Sequence, residues 1–196
     1  MDVVYNHVYD ADSFAFEKIV PGYFYRLDEQ KQRTDGTFCG NDVASERAMV
    51  RRFIKHSVKQ WVNLYGFDGF RFDLMGILDI QTMNELAEEL KSSYPNVYLY
   101  GEGWKMATGL ESDLLAHQYN AAELTDYGFF SDNFRDTIKE TILNKQRLTR
   151  SEWTSSMANI LTANVGLETA NHFQSPQQAI NYTECHDNAT VFDYFK

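Results

Sequence analysis

Apolar positions along the chain alternate between a spacing of about 3.6 residues and a spacing of about 2, so that strand-like and helix-like segments follow one another. The strongest helical pattern is Ser45 to Tyr65, where Met49, Val50, Phe53, Ile54, Ser57, Val58, Trp61 and Val62 recur on one face and Gly66 supplies the stop. That stripe is expected to be core. A second helix is expected from about Asp79 to Ser93, with Ile80, Met83, Leu86, Ala87 and Leu90 on one side and Pro95-Asn96 ending it. Strand patterns fall at Met1–His7, at the stretch ending in Asp73, at Val97–Tyr100, weakly at Tyr127–Ser131, and at Ala179–Thr183. Leu110 to Tyr119 reads as a short helix, and Asp132 or Asn133 as the cap of a helix from near Phe134 to near Asn144. Between Lys145 and Ser175 the polar-rich composition points to loops with weak helical turns.

Val8 to Asp42 shows no sustained period, only the turn signals Pro21-Gly22, Asp35-Gly36 and Gly40-Asn41. Connections of that length within a domain are usually functional. Phe14 and Phe16 are expected to anchor it, whereas Tyr23, Phe24 and Tyr25 read equally well as anchors or as sugar-stacking platforms. Recurrent strand-helix units of this kind make a (β/α) barrel or a doubly wound sheet.

Polar residues gather where the strands end. In Gly66-Phe-Asp-Gly-Phe-Arg-Phe-Asp73, alternation puts Arg71 and Asp73 on one face and Phe70 and Phe72 on the other, so a cation and a carboxylate meet at the strand's end. An arginine beside a carboxylate suits a carboxylate nucleophile, although a structural pair bracing the strand fits the octapeptide alone equally well. Glu102 follows the next strand in the same way, on the face of Tyr98 and Tyr100, with glycines on both sides that allow a sharp turn and the close approach of a ligand. Trp104 beside it is suited to stacking on a sugar ring. The first strand ends in Asn6-His7, and the last delivers His186-Asp187-Asn188, three polar groups that are costly to bury without partners.

Composition narrows the function classes. With 196 residues, 43% hydrophobic and 15% aromatic, the chain has enough material for a packed core. Its 18 Lys+Arg against 28 Asp+Glu give a net charge of −10 without a basic stripe, which disfavours nucleic acid and anionic membrane as partners and suits a neutral polar substrate. No apolar run is long enough to span a bilayer. Cys39 and Cys185 are expected to be free thiols, and neither a dinucleotide or phosphate-binding glycine loop nor a zinc-type spacing is present.

Four stretches, Asp2-Val-Val-Tyr-Asn-His7, Gly69-Phe-Arg-Phe-Asp73, Gly101-Glu-Gly-Trp104 and Cys185-His-Asp-Asn188, together resemble the α-amylase-type superfamily of glycoside hydrolases, in that family's order. Within it the chain is most similar to type I pullulanases, through Tyr5-Asn6-His7, Val20–Arg26, Gly40–Arg47 and Gly101–Trp104. The resemblance implies an α/β fold, part of a (β/α)8 TIM barrel comprising about strands 3 to 7 with their helices. It makes residues 1–196 a portion of one catalytic domain truncated at both ends, and such a piece alone is expected to be unstable and inactive. It further implies retaining hydrolysis of α-1,6-glucosidic branch linkages. Asp73 is then the nucleophile, Glu102 the acid/base and Asp187 a transition-state stabiliser, with Arg71 orienting Asp73. His7 and His186 would hold sugar hydroxyls, Trp104 would form a neighbouring platform, and Asn188 would join the substrate-binding set. The implied partner is an α-glucan polysaccharide or oligosaccharide. No cofactor is required; calcium occurs in relatives, but no acidic cluster here has a calcium-loop spacing, so no metal ligand is assigned.

One departure from the family pattern is Ser131-Asp132, where an Asn-Asp pair is usual, with no catalytic consequence expected. The rival readings are an isoamylase, a branching enzyme, an α-1,4-acting amylase, or a glycan-binding barrel without catalysis. The last should lack one of the carboxylates, and all three are present.

Overall fold

The computed structural model describes residues 1–142, 148–163, 165 and 173–194. They fall into two compact units, Met1–Tyr127 and Gly128–Lys196. The class is α/β, with every described strand pairing parallel.

The first unit is built on β1 (Asp2–Val3), β2 (Gly69–Phe72) and β3 (Tyr98–Gly101), with β2 central and parallel to both neighbours. A parallel pair needs a long crossover, and two helices supply these: α2 (Ala48–Tyr65) between β1 and β2, and α3 (Ile80–Ser93) between β2 and β3. The short α1 (Ala15–Ile19) lies in the long connection after β1. Phe70 and Phe72 are fully buried, as the alternation in β2 predicts. The register pairs Phe72 with Gly101, so the residues that follow each of them leave neighbouring strands at one level.

Only part of the α2 stripe is core. Val50, Ile54, Val58 and Val62 are buried, a strict i, i+4 row, whereas Met49 is 59% and Phe53 37% exposed. The buried row, in which Val50 and Ile54 pack against Phe24, Tyr25 and Val43, is narrower than the apolar sequence stripe. Met49 and Phe53 instead line a surface groove of about 520 Å³ with Phe16, Ile19, Val20 and Tyr23. Gly66 ends the helix as expected, in the left-handed conformation at φ 68° that glycine adopts without steric penalty. In α3, Asp79 is the cap, its carboxylate accepting from the Thr82 N–H at 2.9 Å.

The connection after β1 is pinned by aromatics. Phe24 and Tyr25 are buried with Val43 and Ile54, and Phe14 and Phe16 pack against that cluster, so the anchoring expected of Phe14 and Phe16 holds and Phe24 and Tyr25 are anchors too. The predicted helix at Leu110–Tyr119 is absent. Two 3₁₀ turns, Ser112–Leu114 and Gln118–Glu123, occupy the region.

The second unit carries most of β4 (Tyr127–Phe130), then α4 (Asp132–Ile142), α5 (Arg150–Leu161), β5 (Ala179–Ile180) and α6 (Val191–Tyr194). Two readings need correction here. Ser131, not Asp132 or Asn133, caps α4, its Oγ accepting from the Phe134 N–H at 3.2 Å. The stretch expected to be loops with weak turns contains the three-turn helix α5, started by a capping box in which Thr149 and Glu152 satisfy each other's backbone N–H groups. That motif was visible in the sequence, but α5 buries only Ile160 among its described residues, so no apolar periodicity announces it. The remainder of that stretch, 145–147, 164 and 166–172, lies outside the described residues. Cys39 and Cys185 are free and exposed. Among the described residues no helix is long and apolar enough to cross a membrane.

Candidate active site

Asp73 and Glu102 each follow a strand residue of the paired positions Phe72 and Gly101, and this register brings their side chains together at the strand ends. An oxygen of Asp73 and one of Glu102 lie within 4.8 Å of each other. Between them sits Arg71, 5% exposed, with Nη1 2.9 Å from Asp73 Oδ1 and Nη2 2.5 Å from Glu102 Oε1. One planar guanidinium therefore holds both carboxylates in a fixed relation, which a flexible ammonium could not do as well. Burial alone would lower the Arg71 pKa. The charge of Glu102, the hydrogen bond and charge of Asp73, and the charge of Asp2 outweigh it and raise the pKa, so Arg71 is a permanent cation.

Glu102, itself 5% exposed, is held from a second direction. Leu74 stands in the left-handed region at φ 39°, ψ 45°, a conformation that costs a residue with a Cβ about 1–2 kcal/mol. The turn so made aims the Leu74 N–H at Glu102 Oε2, 3.0 Å away. It also opens a 3₁₀ turn over Met75–Ile77, in which the Gly76 N–H donates to the Glu102 carbonyl at 2.9 Å. Backbone strain one residue after Asp73 thus positions Glu102, and nothing in the sequence signalled it.

The glycines flanking Glu102 were expected to serve a sharp turn. Gly101 does something else: it lies within β3, and a Cβ there would sit 2.5 Å from the Phe72 carbonyl oxygen and 2.8 Å from Met75 Cβ. Its missing side chain admits the Met75 turn against the strand. Trp104 is half-buried, and its main chain lies directly against Gly76, where an added Cβ would be 2.0 Å from the Trp104 oxygen.

Asn6 was not among the expected site residues, and the structure puts it in contact with Asp73. It is fully buried, and its Nδ2 donates to the Asp73 carbonyl at 2.6 Å and to Asp73 Oδ2 at 3.0 Å. Its Oδ1 lies 2.5 Å from Nδ1 of the half-buried His7. The first unit therefore joins His7, Arg71, Asp73 and Glu102 in one set linked by hydrogen bonds and by the Arg71–Glu102 ion pair, with Asn6 as the added member.

His186, Asp187 and Asn188 belong to the second unit, on an exposed loop after β5. His186 Nε2 is 3.6 Å from Asp187 Oδ2, and Cys185 Sγ is 3.1 Å from His186 Nδ1. Asn188 adopts φ 68°, a left-handed value that asparagine tolerates better than most residues. Tyr182, two residues past β5, accepts a hydrogen bond from Arg135 Nη1 of α4 at 2.8 Å.

No protein-family model matches the chain. It is 42% identical over 198 aligned residues to a pullulanase of Bacillus subtilis strain 168, covering 98% of this chain and 28% of that protein. To a pullulanase of Klebsiella pneumoniae it is 36% identical over 143 residues, covering 71% of this chain and 13% of the other. Among solved structures, the pullulanase of Paenibacillus barengoltzii in complex with maltohexaose and α-cyclodextrin is similar with a TM-score of 0.91 at 41% identity, over 99% of this chain and 31% of that one. The chain spans less than a third of the length of each of these relatives. With sequence and fold agreeing along nearly all of its length, the chain is a homologue of one segment of the pullulanases.

Proposed function

We propose that this chain carries the catalytic carboxylates of a retaining α-glucan debranching hydrolase, acting on α-1,6-glucosidic linkages in pullulan or in starch- and glycogen-derived glucans. The observation that carries the reading is the single buried guanidinium of Arg71 shared by Asp73 and Glu102. Retaining glycosidases hold their two carboxyl groups about 5–5.5 Å apart, inverting ones about 6.5–9.5 Å. Oxygens within 4.8 Å of each other favour the shorter class, in which no water fits between carboxylate and sugar.

In the proposed reaction Asp73 attacks the anomeric carbon while Glu102 gives a proton to the departing glycosidic oxygen. Glu102 then takes a proton from the water that releases the glycosyl-enzyme. Arg71 and the Leu74 amide keep Glu102 beside Asp73, so that both act on one bond. His7 and His186 are assigned to sugar hydroxyls in the bond-cleaving subsite, Trp104 to a neighbouring sugar, Asp187 to stabilising the transition state and Asn188 to substrate binding, all by resemblance. The parallel strands with their helices support a larger (β/α)8 barrel, of which this chain supplies about strands 3 to 7. The pullulanase names of the relatives, and the maltohexaose and cyclodextrin bound to one of them, support an α-glucan as substrate.

The test is Asp73→Ala in the full-length protein, assayed on pullulan. Turnover within tenfold of wild type would sink the assignment. The anomeric form of the first product, read by proton NMR, decides retention independently.

A further inference from the structure

Asn6 takes part in four hydrogen bonds, and the three made by its side chain leave only one orientation for its amide. Both groups facing its Nδ2, the Asp73 carbonyl at 2.6 Å and Asp73 Oδ2 at 3.0 Å, can only accept, so the amide nitrogen must point toward them. A flipped amide would set an oxygen against two oxygens in a site with no exposed surface on Asn6. The carbonyl end is thereby turned toward His7, with Oδ1 2.5 Å from Nδ1. The main chain is fixed as well, since the Asn6 carbonyl accepts from the Val43 N–H at 2.9 Å. Val8, on the far side of His7, is latched too, exchanging hydrogen bonds with Asn41 at 3.0 Å and 2.8 Å. An oxygen that only accepts obliges His7 Nδ1 to donate. In a neutral imidazole the proton is then on Nδ1 and the lone pair on Nε2.

We infer that Asn6 is a positioning residue that couples two parts of the site through one amide: it holds the Asp73 carboxylate and sets the tautomer in which His7 Nε2 accepts a hydrogen bond from a substrate hydroxyl. This rests on the reading of Asp73 as nucleophile and His7 as a sugar contact, and adds the atom that each side of the histidine uses. Asp73 gains a neutral donor that holds its Oδ2 without competing for Arg71, which binds Oδ1. His7 becomes a selective reader. It takes a hydroxyl that can donate, and it rejects an analogue in which that hydroxyl is methylated.

The experiment uses the full-length protein with isotope-labelled histidine, the His7 signal being identified by its loss in His7→Gln. The coupling pattern between ring nitrogens and ring protons distinguishes the two neutral tautomers. The expected wild-type result is the Nδ1–H form, and an Nε2–H form overturns the proposal without any variant being needed. In Asn6→Ala the bias should disappear and kcat on pullulan should fall about a hundredfold, the scale of a misplacement of about 1 Å at the reacting group. A folded Asn6→Ala that keeps both the tautomer and turnover within tenfold of wild type refutes the coupling, and one that does not fold leaves the wild-type tautomer to decide. The tautomer does not depend on activity, so its failure is distinguishable from failure of the glycosidase reading, which Asp73→Ala tests.

Discussion

Replacing Gly76 by alanine should damage the chemistry while altering none of the proposed catalytic side chains themselves. A Cβ at Gly76 would lie 2.0 Å from the Trp104 carbonyl oxygen, 2.9 Å from its carbonyl carbon and 3.0 Å from its nitrogen. A close carbon–oxygen contact is about 3.3 Å, so one backbone must yield by about 1.3 Å. The atoms that crowd it are main chain, with no rotamer to move aside, and they lie two residues beyond Glu102. Gly76 is also the donor to the Glu102 carbonyl at 2.9 Å, so the hydrogen bond that ties the turn to Glu102 is strained together with the contact. A displacement of about 1 Å at a reacting group costs about a hundredfold in rate, or about 2.7 kcal/mol of barrier at about 1.36 kcal/mol per tenfold. The assay is kcat on pullulan for the full-length Gly76→Ala protein, repeated with an α-glucoside whose leaving group needs no proton and with azide in place of water. If the loss arises from a displaced Glu102, the second pair of conditions should restore most of the rate, because neither step then needs an acid or a base. A folded variant with kcat within threefold of wild type would show that the turn does not position Glu102.

The contrasting glycine is Gly66, at φ 68° with nothing within 4 Å of an added Cβ. Gly66→Ala should lower stability by about 1–2 kcal/mol in denaturant unfolding and leave kcat unchanged, and a matching loss of activity would refute the separation of fold from site. Ile54→Ala, at a fully buried position of α2, should cost about 2–5 kcal/mol by the same measurement, and a cost under about 1 kcal/mol would mean that α2 does not pack against Phe24, Tyr25 and Val43 as described. Phe38 stands at φ 60° and is 86% exposed, so its ring contributes little burial against the left-handed penalty. Phe38→Gly should therefore be neutral or raise stability by up to about 1 kcal/mol, and a clear loss would show that the ring is covered in the whole protein. His117 is almost fully buried, and burial, with the charge of Lys105 adding to it, lowers its pKa from the ordinary value. Below about pH 6.5 the unfolded chain takes up this proton before the folded one does, so stability should fall with decreasing pH until the folded group protonates. The slope from this group is at most about 1.4 kcal/mol per pH unit. His117→Gln should remove its share, and an unchanged slope would refute the assignment.

What the sequence displays is what alternation and sterics dictate residue by residue. Arg71 and Asp73 had to share a face of a strand that buried Phe70 and Phe72, and the ion pair at 2.9 Å follows from that. Glu102 was legible as a strand-end acid by the same argument. That both acids would share one guanidinium was not, because it depends on a register between strands distant in sequence, Phe72 opposite Gly101, which no local pattern specifies. Asn6 escaped for a related reason. It is a short polar residue at a strand end, and only the parallel pairing of Val3 with Phe72 sets it against Asp73. Leu74 gave no signal at all, since leucine has no preference for the left-handed conformation that it adopts.

The misread elements have their own physical cause. In α2, Met49 and Phe53 fit the period of a core face, but a helix packed through one row leaves the next row open. At α5 the error ran the other way: capping chemistry was present without the apolar stripe that usually accompanies it. In both cases the pattern was real and the burial was decided by what lies opposite, which is a tertiary fact. The same distinction bears on Glu102. Its strand places it at the mouth of the site, yet its orientation is set by Arg71, by the strained amide of Leu74 and by a glycine that leaves room for Trp104. If catalysis required only that two acids reach the strand ends, Gly76→Ala and Asn6→Ala would be silent. If it requires the geometry held by their neighbours, both should lose about two orders of magnitude with the acids intact.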